Sequence, residues 1–164
     1  MMIENSNNFT RALTFTLKWE GGFSNDKVDP GGKTKWGISD AGDGTIDGLI
    51  DIDRDGTGDV KVEALTKEEA IQVYYHAYWK PANCDKFDLP LAVAVFDTAV
   101  NCGVKRANKW LKESQDPKSF LNLRKLYYYR LVGYNPSMKK YIKGWLNRLN
   151  DLSKYIHILS SDVV

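Results

Sequence analysis

Residues 18–23 read Lys18-Trp19-Glu20-Gly21-Gly22-Phe23, and residues 29–38 read Asp29-Pro30-Gly31-Gly32-Lys33-Thr34-Lys35-Trp36-Gly37-Ile38. Apolar residues upstream recur at helical spacing. They predict an amphipathic helix that begins near Asn7 or Asn8 and ends at Glu20, where Gly21-Gly22 stops it. The proline and glycines that follow predict a turn, and residues 35–39 predict a short extended segment. The fold therefore opens with a helix that ends on a carboxylate and runs into a glycine-rich loop.

Glu20 lies on the apolar face of this first helix when residues are placed at 100° intervals. That face also contains Phe9, Leu13, Thr16 and Leu17. Glutamate is rarely buried without a partner, and desolvation raises the pKa of a carboxyl group, as a general acid requires. The alternative is a structural role, in which Glu20 caps a neighbouring backbone or pairs with Lys18 or Lys35.

Length and composition indicate a globular protein. A chain of 164 residues predicts one domain or one compact unit of two lobes, and its 43% hydrophobic and 27% charged residues are ordinary values. Two cysteines, Cys84 and Cys102, are too few for a disulfide framework, and their pairing stays open. The polar N-terminus does not resemble a signal peptide or a membrane anchor. We therefore expect a protein made in the cytoplasm without stable membrane insertion, which acts after release.

Charge is distributed unevenly along the chain. Residues 1–104 contain 10 Lys/Arg and 17 Asp/Glu, whereas residues 105–164 contain 13 Lys/Arg and 4 Asp/Glu. A basic half indicates an anionic partner such as a cell-wall polymer, a membrane surface or a nucleic acid. A solvated helical surface with no such partner is the alternative.

An acidic insert at residues 40–63 contains eight carboxylates and five glycines. Within it, Asp51-Ile52-Asp53-Arg54-Asp55-Gly56 matches the first half of an EF-hand-type loop, in which alternating carboxylates converge on a cation. The predicted metal ligands are Asp51, Asp53, Asp55, Thr57, Asp59 and Glu63. The match is partial because Val62 occupies the twelfth position, where a glutamate is expected. A Ca²⁺ site and a solvated acidic loop are therefore both open.

The rest of the chain predicts helices. Thr66-Lys67-Glu68-Glu69 forms a capping box for a helix that stops before Pro81 and ends in the aromatic run 74–79. Most of these rings are expected in the core, with one or two at a cleft rim where they stack on sugars. Asp88-Leu89-Pro90 begins a helix that is apolar on every side. Further helices are predicted near 104–114, 119–132 and 137–159, so the fold class is mainly α.

Two polar residues interrupt the apolar helix. Asp97 and Asn101 lie one turn apart on the same face. Buried polar groups need hydrogen-bond partners. The two side chains are therefore expected either to anchor loops or to line a cleft.

Several motifs, taken in order, resemble those of glycoside hydrolase family 108, which comprises bacterial and phage muramidases of the lysozyme superfamily, some described as secretion activators. The motifs are Glu20-Gly21-Gly22-Phe23, Asp29-Pro30-Gly31-Gly32-Lys33-Thr34, Trp36-Gly37-Ile38, Tyr78-Trp79 and Phe96-Asp97-Thr98-Ala99-Val100-Asn101-Cys102-Gly103. Arg124, Tyr127-Tyr128 and residues 144–148 resemble the helical peptidoglycan-binding module of that family. The resemblance covers nearly the whole chain except the acidic insert.

The resemblance implies a mainly α, lysozyme-like fold with a small loop and β region after the first helix. It implies a muramidase lobe at 1–104 and a peptidoglycan-binding-like lobe at 105–164. The activity implied is hydrolysis of the β-1,4 bond between N-acetylmuramic acid and N-acetylglucosamine, by a monomer that binds peptidoglycan and no nucleic acid. No cofactor is required for catalysis, and a Ca²⁺ ion in the acidic loop would be structural.

Specific residues follow from the same resemblance. Glu20 is implied as the general acid, Asp29 as the second carboxylate with Asp26 as its competitor, and Thr34 as the group that holds a water. The expected substrate-binding residues are Trp36, Tyr78, Trp79, Asp97, Asn101 and Trp145. Two other functions remain open: a non-catalytic wall-binding or export-associated protein, and a Ca²⁺-responsive interaction module.

Overall fold

The computed structural model describes residues 7–21 and 34–161. Within these ranges the α-helices are α1 (Asn7–Glu20), α2 (Lys67–Tyr74), α3 (Leu89–Cys102), α4 (Val104–Glu113), α5 (Pro117–Tyr134) and α6 (Lys139–Ser161). The strands are β1 (Thr34–Lys35), β2 (Ile38–Ser39), β3 (Leu49–Ile50) and β4 (Val60–Lys61). The chain divides into two compact units, Met1–Pro81 and Ala82–Val164. None of the described helices is long and apolar enough to span a membrane.

The boundary between the compact units differs from the predicted boundary between lobes. The division falls at residues 81 and 82, so α3 belongs to the second unit, whereas the sequence motifs assign residues up to 104 to the first lobe. The compact units describe how the chain packs, and the lobes describe how functions are distributed. The functional division at 104 and 105 stays a prediction.

In the first unit, α1 packs on the aromatic end of the second helical segment. Phe9 makes edge-to-face contacts with Tyr75 and Trp79, with ring centroids 5.5 and 5.3 Å apart. Phe9, Leu13 and the neighbouring apolar residues of α1 are buried. The predicted amphipathic helix is therefore present with its expected bounds, and its apolar face forms part of the core.

Helix α2 begins at the predicted capping box. The hydroxyl of Thr66 accepts a hydrogen bond from the backbone N–H of Glu69, and the Glu69 carboxylate accepts one from the N–H of Thr66. After Tyr74 the backbone continues as a π-helical turn, Tyr75–Trp79. Single π turns of this kind occur often at functional sites. The wider turn changes which side chains face the core.

Two short hairpins lie between α1 and α2. Strands β1 and β2 pair with Thr34 opposite Ser39 and Lys35 opposite Ile38. Strands β3 and β4 pair with Ile50 opposite Val60, so they close the acidic loop at its base. These antiparallel pairs form the small β region that was predicted after the first helix.

The second unit is organised around α3. Its residues from Leu91 to Ala99 are all buried, and α4, α5 and α6 each contact it. Pro90 lies in its first turn, as predicted. Cys84 and Cys102 are both buried and both are free thiols, so neither contributes a disulfide.

Asp97 of α3 lies at the centre of a buried ion cluster. Its two carboxylate oxygens accept hydrogen bonds from Arg124 of α5 at 2.9 Å and Arg148 of α6 at 2.8 Å. Arg124 also donates to Thr98 and, through Nε, to Tyr128. Although desolvation opposes ionisation, the two guanidinium groups hold the pKa of Asp97 below its usual range. One carboxylate therefore joins three helices.

Replacing this carboxylate should destabilise the protein strongly. We expect Asp97→Asn to lower the free energy of unfolding by about 3–5 kcal/mol, because it removes the buried negative charge that both guanidinium groups bind. Urea unfolding at neutral pH measures the loss. The matched control is Asp88→Asn, since the exposed Asp88 makes no side-chain cap hydrogen bond. An unfolding midpoint for Asp97→Asn that equals that of the control would contradict the argument.

The same cluster predicts an acid dependence of stability. The pKa of Asp97 is lower in the folded than in the unfolded protein, so its contribution is complete above the unfolded value of about 3.9 and is lost as pH falls through the folded value. Acid unfolding of the wild type should therefore include a component that Asp97→Asn lacks.

Candidate active site

The β1–β2 hairpin turns at Trp36-Gly37, and both residues have left-handed backbone. Their φ angles are 55° and 78°. Positive φ at both central positions is the geometry of a two-residue type I′ turn, which usually takes Asn-Gly. A left-handed non-glycine residue costs about 1–3 kcal/mol, so other contacts must hold Trp36. They include a hydrogen bond from its indole Nε1 to the backbone oxygen of Leu65, at 3.1 Å.

Gly37 lies directly against Glu20. A Cβ atom at Gly37 would lie 2.7 Å from the Cβ of Glu20 and 2.3 Å from the hydroxyl oxygen of Tyr74. That hydroxyl donates a hydrogen bond to the backbone oxygen of Trp36, at 2.7 Å. The end of α1, the hairpin turn and α2 therefore meet at a point where no side chain fits. This contact fixes the stem of the Glu20 side chain.

Tyr78 and Arg54 lie close enough to Glu20 to share an electrostatic environment with it. Burial raises the pKa of the Tyr78 hydroxyl, the positive charge of Arg54 lowers it, and the negative charge of Glu20 raises it, for a net increase. Tyr78 therefore stays neutral at physiological pH and can donate a hydrogen bond. The Tyr78 ring lies 5.9 Å from that of Tyr74, which ties it to the hairpin turn.

These residues form a site that suits acid catalysis on a polar ligand. Glu20 is the last residue of α1 and is half-buried. A carboxyl group held in this position can act as a general acid when it is protonated. Trp36 and Tyr78, also half-buried, add an indole and a phenol to the same neighbourhood. Both rings can contact a sugar while their polar atoms hydrogen-bond.

The other predicted catalytic residues are less fully described. Thr34 is the first residue of β1 and is half-buried opposite Ser39. It lies in the same hairpin as Trp36, near the candidate acid in the chain. Asp29 and its competitor Asp26 lie outside the described residues. The roles of all three stay predictions.

Trp79 occupies a different environment from its neighbour Tyr78. Its side chain is fully buried and contacts Phe9 of α1. In this position the ring packs in the core and offers no face to a ligand. The π-helical turn therefore directs Tyr78 and Trp79 to different surroundings, although both were predicted to contact substrate.

Three further residues predicted to bind substrate lie in the second unit. Asp97 is completely buried in its cluster with two arginines. Asn101 accepts a hydrogen bond from the hydroxyl of Tyr128. These contacts match the structural alternative given above, in which polar groups on α3 anchor other elements. They account for both side chains without a ligand.

Trp145 is the middle ring of a three-ring stack. Tyr128 lies on it with centroids 5.0 Å apart and an interplanar angle of 22°, and Tyr141 lies 5.8 Å away at 26°. Both partners are stacked on Trp145, so they compete with any sugar for its ring faces. Tyr141, whose side chain is 49% exposed, is the more accessible aromatic surface.

The acidic loop brings four of its predicted ligands together. Asp51, Asp53, Asp55 and Asp59 each offer one carboxylate oxygen, and these oxygens all lie within 4.8 Å of one another. Glu63 lies outside this cluster, in a 3₁₀ turn. Its backbone oxygen accepts a hydrogen bond from the Lys35 ammonium group. The loop is closed by β3 and β4 and not by flanking helices.

Hydrogen bonds inside the loop preorganise these carboxylates. Desolvation raises the pKa of Asp51, but hydrogen bonds from the backbone N–H groups of Gly56 and Asp55 lower it, and the net pKa is lowered. Desolvation and the charges of Asp55 and Asp59 raise the pKa of Asp53. The oxygens therefore repel one another while the backbone holds them close, and a hard cation would relieve that repulsion.

Three contributors to the site were not predicted from sequence. Gly37 could have been identified, since Trp-Gly between two extended pairs is a two-residue hairpin connection. Arg54 offered a weaker signal, as a cation at a non-ligand position between aspartates. Tyr74 gave none, because its role depends on a hydrogen bond to a residue 38 positions away.

Comparisons with known proteins show the family and the fold of the chain. Residues 13–103 match the family described as glycosyl hydrolase 108. The chain is also similar to the solved structure of Brucella abortus SagA, with a TM-score of 0.73 and 24% sequence identity over 94% of this chain and 97% of that one. No curated protein matches the chain. The predicted mainly α, lysozyme-like fold is confirmed.

The close approach at Gly37 gives a test of the site. Gly37→Ala should lower the free energy of unfolding by about 1–2 kcal/mol for its left-handed backbone and by about 1–3 kcal/mol more for the overlap with Tyr74 and Glu20. Gly48→Ala is the matched control, because Gly48 has a φ of 82° and nothing within 4 Å of its Cβ position. Urea unfolding of both variants measures the difference. Equal losses would show that the packing at Gly37 is unimportant.

Proposed function

Because the chain belongs to glycosyl hydrolase family 108, we propose that it cleaves the β-1,4 bond between N-acetylmuramic acid and N-acetylglucosamine, with Glu20 as the general acid. Membership makes the protein a glycoside hydrolase of peptidoglycan. The observation that supports the finer assignment is the fixed, half-buried position of Glu20 against Gly37 and near Tyr78. The matched family region begins within α1, the helix that Glu20 ends.

In this mechanism Glu20 protonates the oxygen of the leaving sugar while a water attacks the opposite face of the other sugar. A positioned acid contributes typically about 10²–10⁴-fold to the rate. Asp29 activates or orients the water, and Thr34 helps to hold it. A separation of about 6.5–9.5 Å between the two carboxyl groups leaves room for that water and inverts the anomeric configuration, whereas about 5–5.5 Å gives retention.

Replacement of the acid tests the mechanism. Glu20→Gln should lower the rate of wall hydrolysis by at least about 10²-fold, because an amide of the same size cannot donate the proton. Release of reducing sugars from purified peptidoglycan measures the rate, and thermal unfolding checks the fold. Glu68→Gln, on the exposed first turn of α2, is the control. Turnover near that of the wild type in Glu20→Gln would refute the assignment.

The second carboxylate is identified in the same assay. Asp29→Asn should reduce hydrolysis strongly, and Asp26→Asn should reduce it little. The reverse order would assign the role to Asp26. A wild-type protein that binds wall but releases no sugars would favour the non-catalytic alternative.

We also propose that the acidic loop binds Ca²⁺ as a structural ion. Four converging carboxylates support this proposal, together with the backbone bonds that hold Asp51. Asp51, Asp53, Asp55 and Asp59 would supply side-chain oxygens, and Thr57 would supply its backbone oxygen at the seventh position. The ion would neutralise the loop and stabilise the insert, and it would take no part in bond cleavage.

Thermal unfolding tests the ion site. A ligand that binds the native state stabilises it by RT ln(1 + [L]/Kd), about 2.7 kcal/mol at a hundredfold excess over Kd, so Ca²⁺ should raise Tm and a chelator should lower it. Asp53→Asn should abolish this response and, in chelator, should raise Tm slightly by removing repulsion. Glu68→Gln should respond as the wild type does. A Tm independent of Ca²⁺, with no heat of binding, leaves a solvated acidic loop as the correct description.

A further inference from the structure

Arg54 is a cation in the middle of the acidic loop. It is half-buried and has left-handed backbone, with a φ of 58°. Its Nη1 donates a hydrogen bond to the backbone oxygen of Asp51. Its Nη2 lies 3.8 Å from the position that a Cβ on Gly42 would take. The guanidinium is therefore directed across the insert towards residues 40–43, and it is held by backbone and not by a carboxylate.

The absence of an ion pair at Arg54 is unexpected in this setting. Four aspartates lie within five residues of it, yet within the described part of the chain none forms a salt bridge with its guanidinium. Partly buried arginine usually pairs with a carboxylate, because its planar fork matches carboxylate geometry. Only one donor of the guanidinium is used by the described residues. Arg54 therefore retains the capacity to bind a carboxylate from outside the chain.

The Arg54 guanidinium lies near the hairpin that contacts the proposed acid, because the Cβ position of Gly42 is 3.8 Å from Arg54 Nη2 and 3.7 Å from Ser39 Oγ of β2. The charges of Arg54 and Glu20 both act on the hydroxyl of Tyr78, with opposite effects. Tyr78 contacts Tyr74, whose hydroxyl bonds to Trp36 beside Gly37 and Glu20. The charges of Glu20 and Arg54 thus both reach the Tyr78 hydroxyl. A ligand that reaches Glu20 comes within the electrostatic range of Arg54.

We propose that Arg54 is a specificity-determining residue that binds a carboxylate of the substrate beside the bond presented to Glu20. The inference rests on the proposed function. Muramic acid differs from glucosamine by a lactyl group, whose carboxylate is either free or joined to a peptide that carries carboxylates of its own. Arg54 would recognise this anionic side of the polymer, and neutral glycans would lack the contact.

Oligomers that differ only in charge test the proposal. Peptide-bearing and peptide-free muramyl oligomers are each prepared with their carboxylates free and with the carboxylates amidated. Arg54→Gln should lower kcat/KM on a free-carboxylate oligomer by about 10- to 100-fold, as expected for the loss of one hydrogen bond to a charged group, and should change it little on the amidated form. A selective loss on peptide-free oligomers identifies the lactyl carboxylate, and a selective loss on peptide-bearing oligomers identifies a peptide carboxylate.

Matched variants separate this role from loop stability. Arg54→Lys keeps the charge and should retain part of the preference. Lys61→Gln removes a positive charge from an exposed residue of the same insert and should leave the preference unchanged. Every variant carries the same backbone strain at residue 54, and Tm is measured for each. Equal losses of kcat/KM on free and amidated oligomers, or no loss on either, would overturn the proposal.

A binding measurement separates this inference from the proposed mechanism. In a Glu20→Gln background, calorimetry compares the affinity for the free-carboxylate oligomer with and without Arg54→Gln. Weaker binding of about 10-fold or more supports the carboxylate contact even where no hydrolysis is detected. If the wild type hydrolyses none of the oligomers, the proposed reaction fails, and the binding result still decides the role of Arg54. Unchanged affinity in that background contradicts the inference.

Discussion

The absence of a side chain at Gly37 is the constraint on which the candidate site depends. A methyl group on Gly37 would overlap with Glu20 at the end of α1 and with the hydroxyl of Tyr74 of α2. That hydroxyl donates a hydrogen bond to the backbone oxygen of Trp36 in the hairpin turn. Only glycine combines this close approach with a φ of 78° at low cost. Glu20 is therefore positioned by backbone, which is stiffer than a contact between flexible side chains. Preorganisation of this kind suits a group that must meet a bond at a fixed distance.

The second unit uses a different device. The buried carboxylate of Asp97 binds the guanidinium groups of Arg124 in α5 and Arg148 in α6, which follow it by 27 and 51 residues. A buried ion pair contributes little net stability compared with a well-packed apolar core, but loss of one partner is very costly. The cluster therefore specifies which faces of α5 and α6 meet α3. Arg124 Nη2 has no hydrogen-bond partner among the described residues, so the cluster leaves one buried donor unsatisfied.

Local sequence signals predicted much of the fold. The site was predicted less well, because its contacts join residues that are far apart in the chain. The capping box at Thr66, the proline in α3 and the glycines after Glu20 each act within one helical turn, so sequence was sufficient. Trp79 was predicted to bind substrate because Tyr78-Trp79 is one of the motifs that carry the family resemblance, and the packing of its ring on Phe9 depends on a distant part of the chain. Asp97 was ambiguous, since a polar residue on an apolar helix has the same pattern whether its partner is an arginine or a ligand.

Strands β3 and β4 bring the two ends of the acidic loop together. Ile50 and Val60 lie side by side, so the nine residues between them leave and re-enter the fold at nearly the same point. A segment with adjacent ends can be gained or exchanged in one genetic event without moving the helices on either side. The acidic loop can therefore be lengthened, shortened or exchanged while Gly37 and Glu20 stay in register.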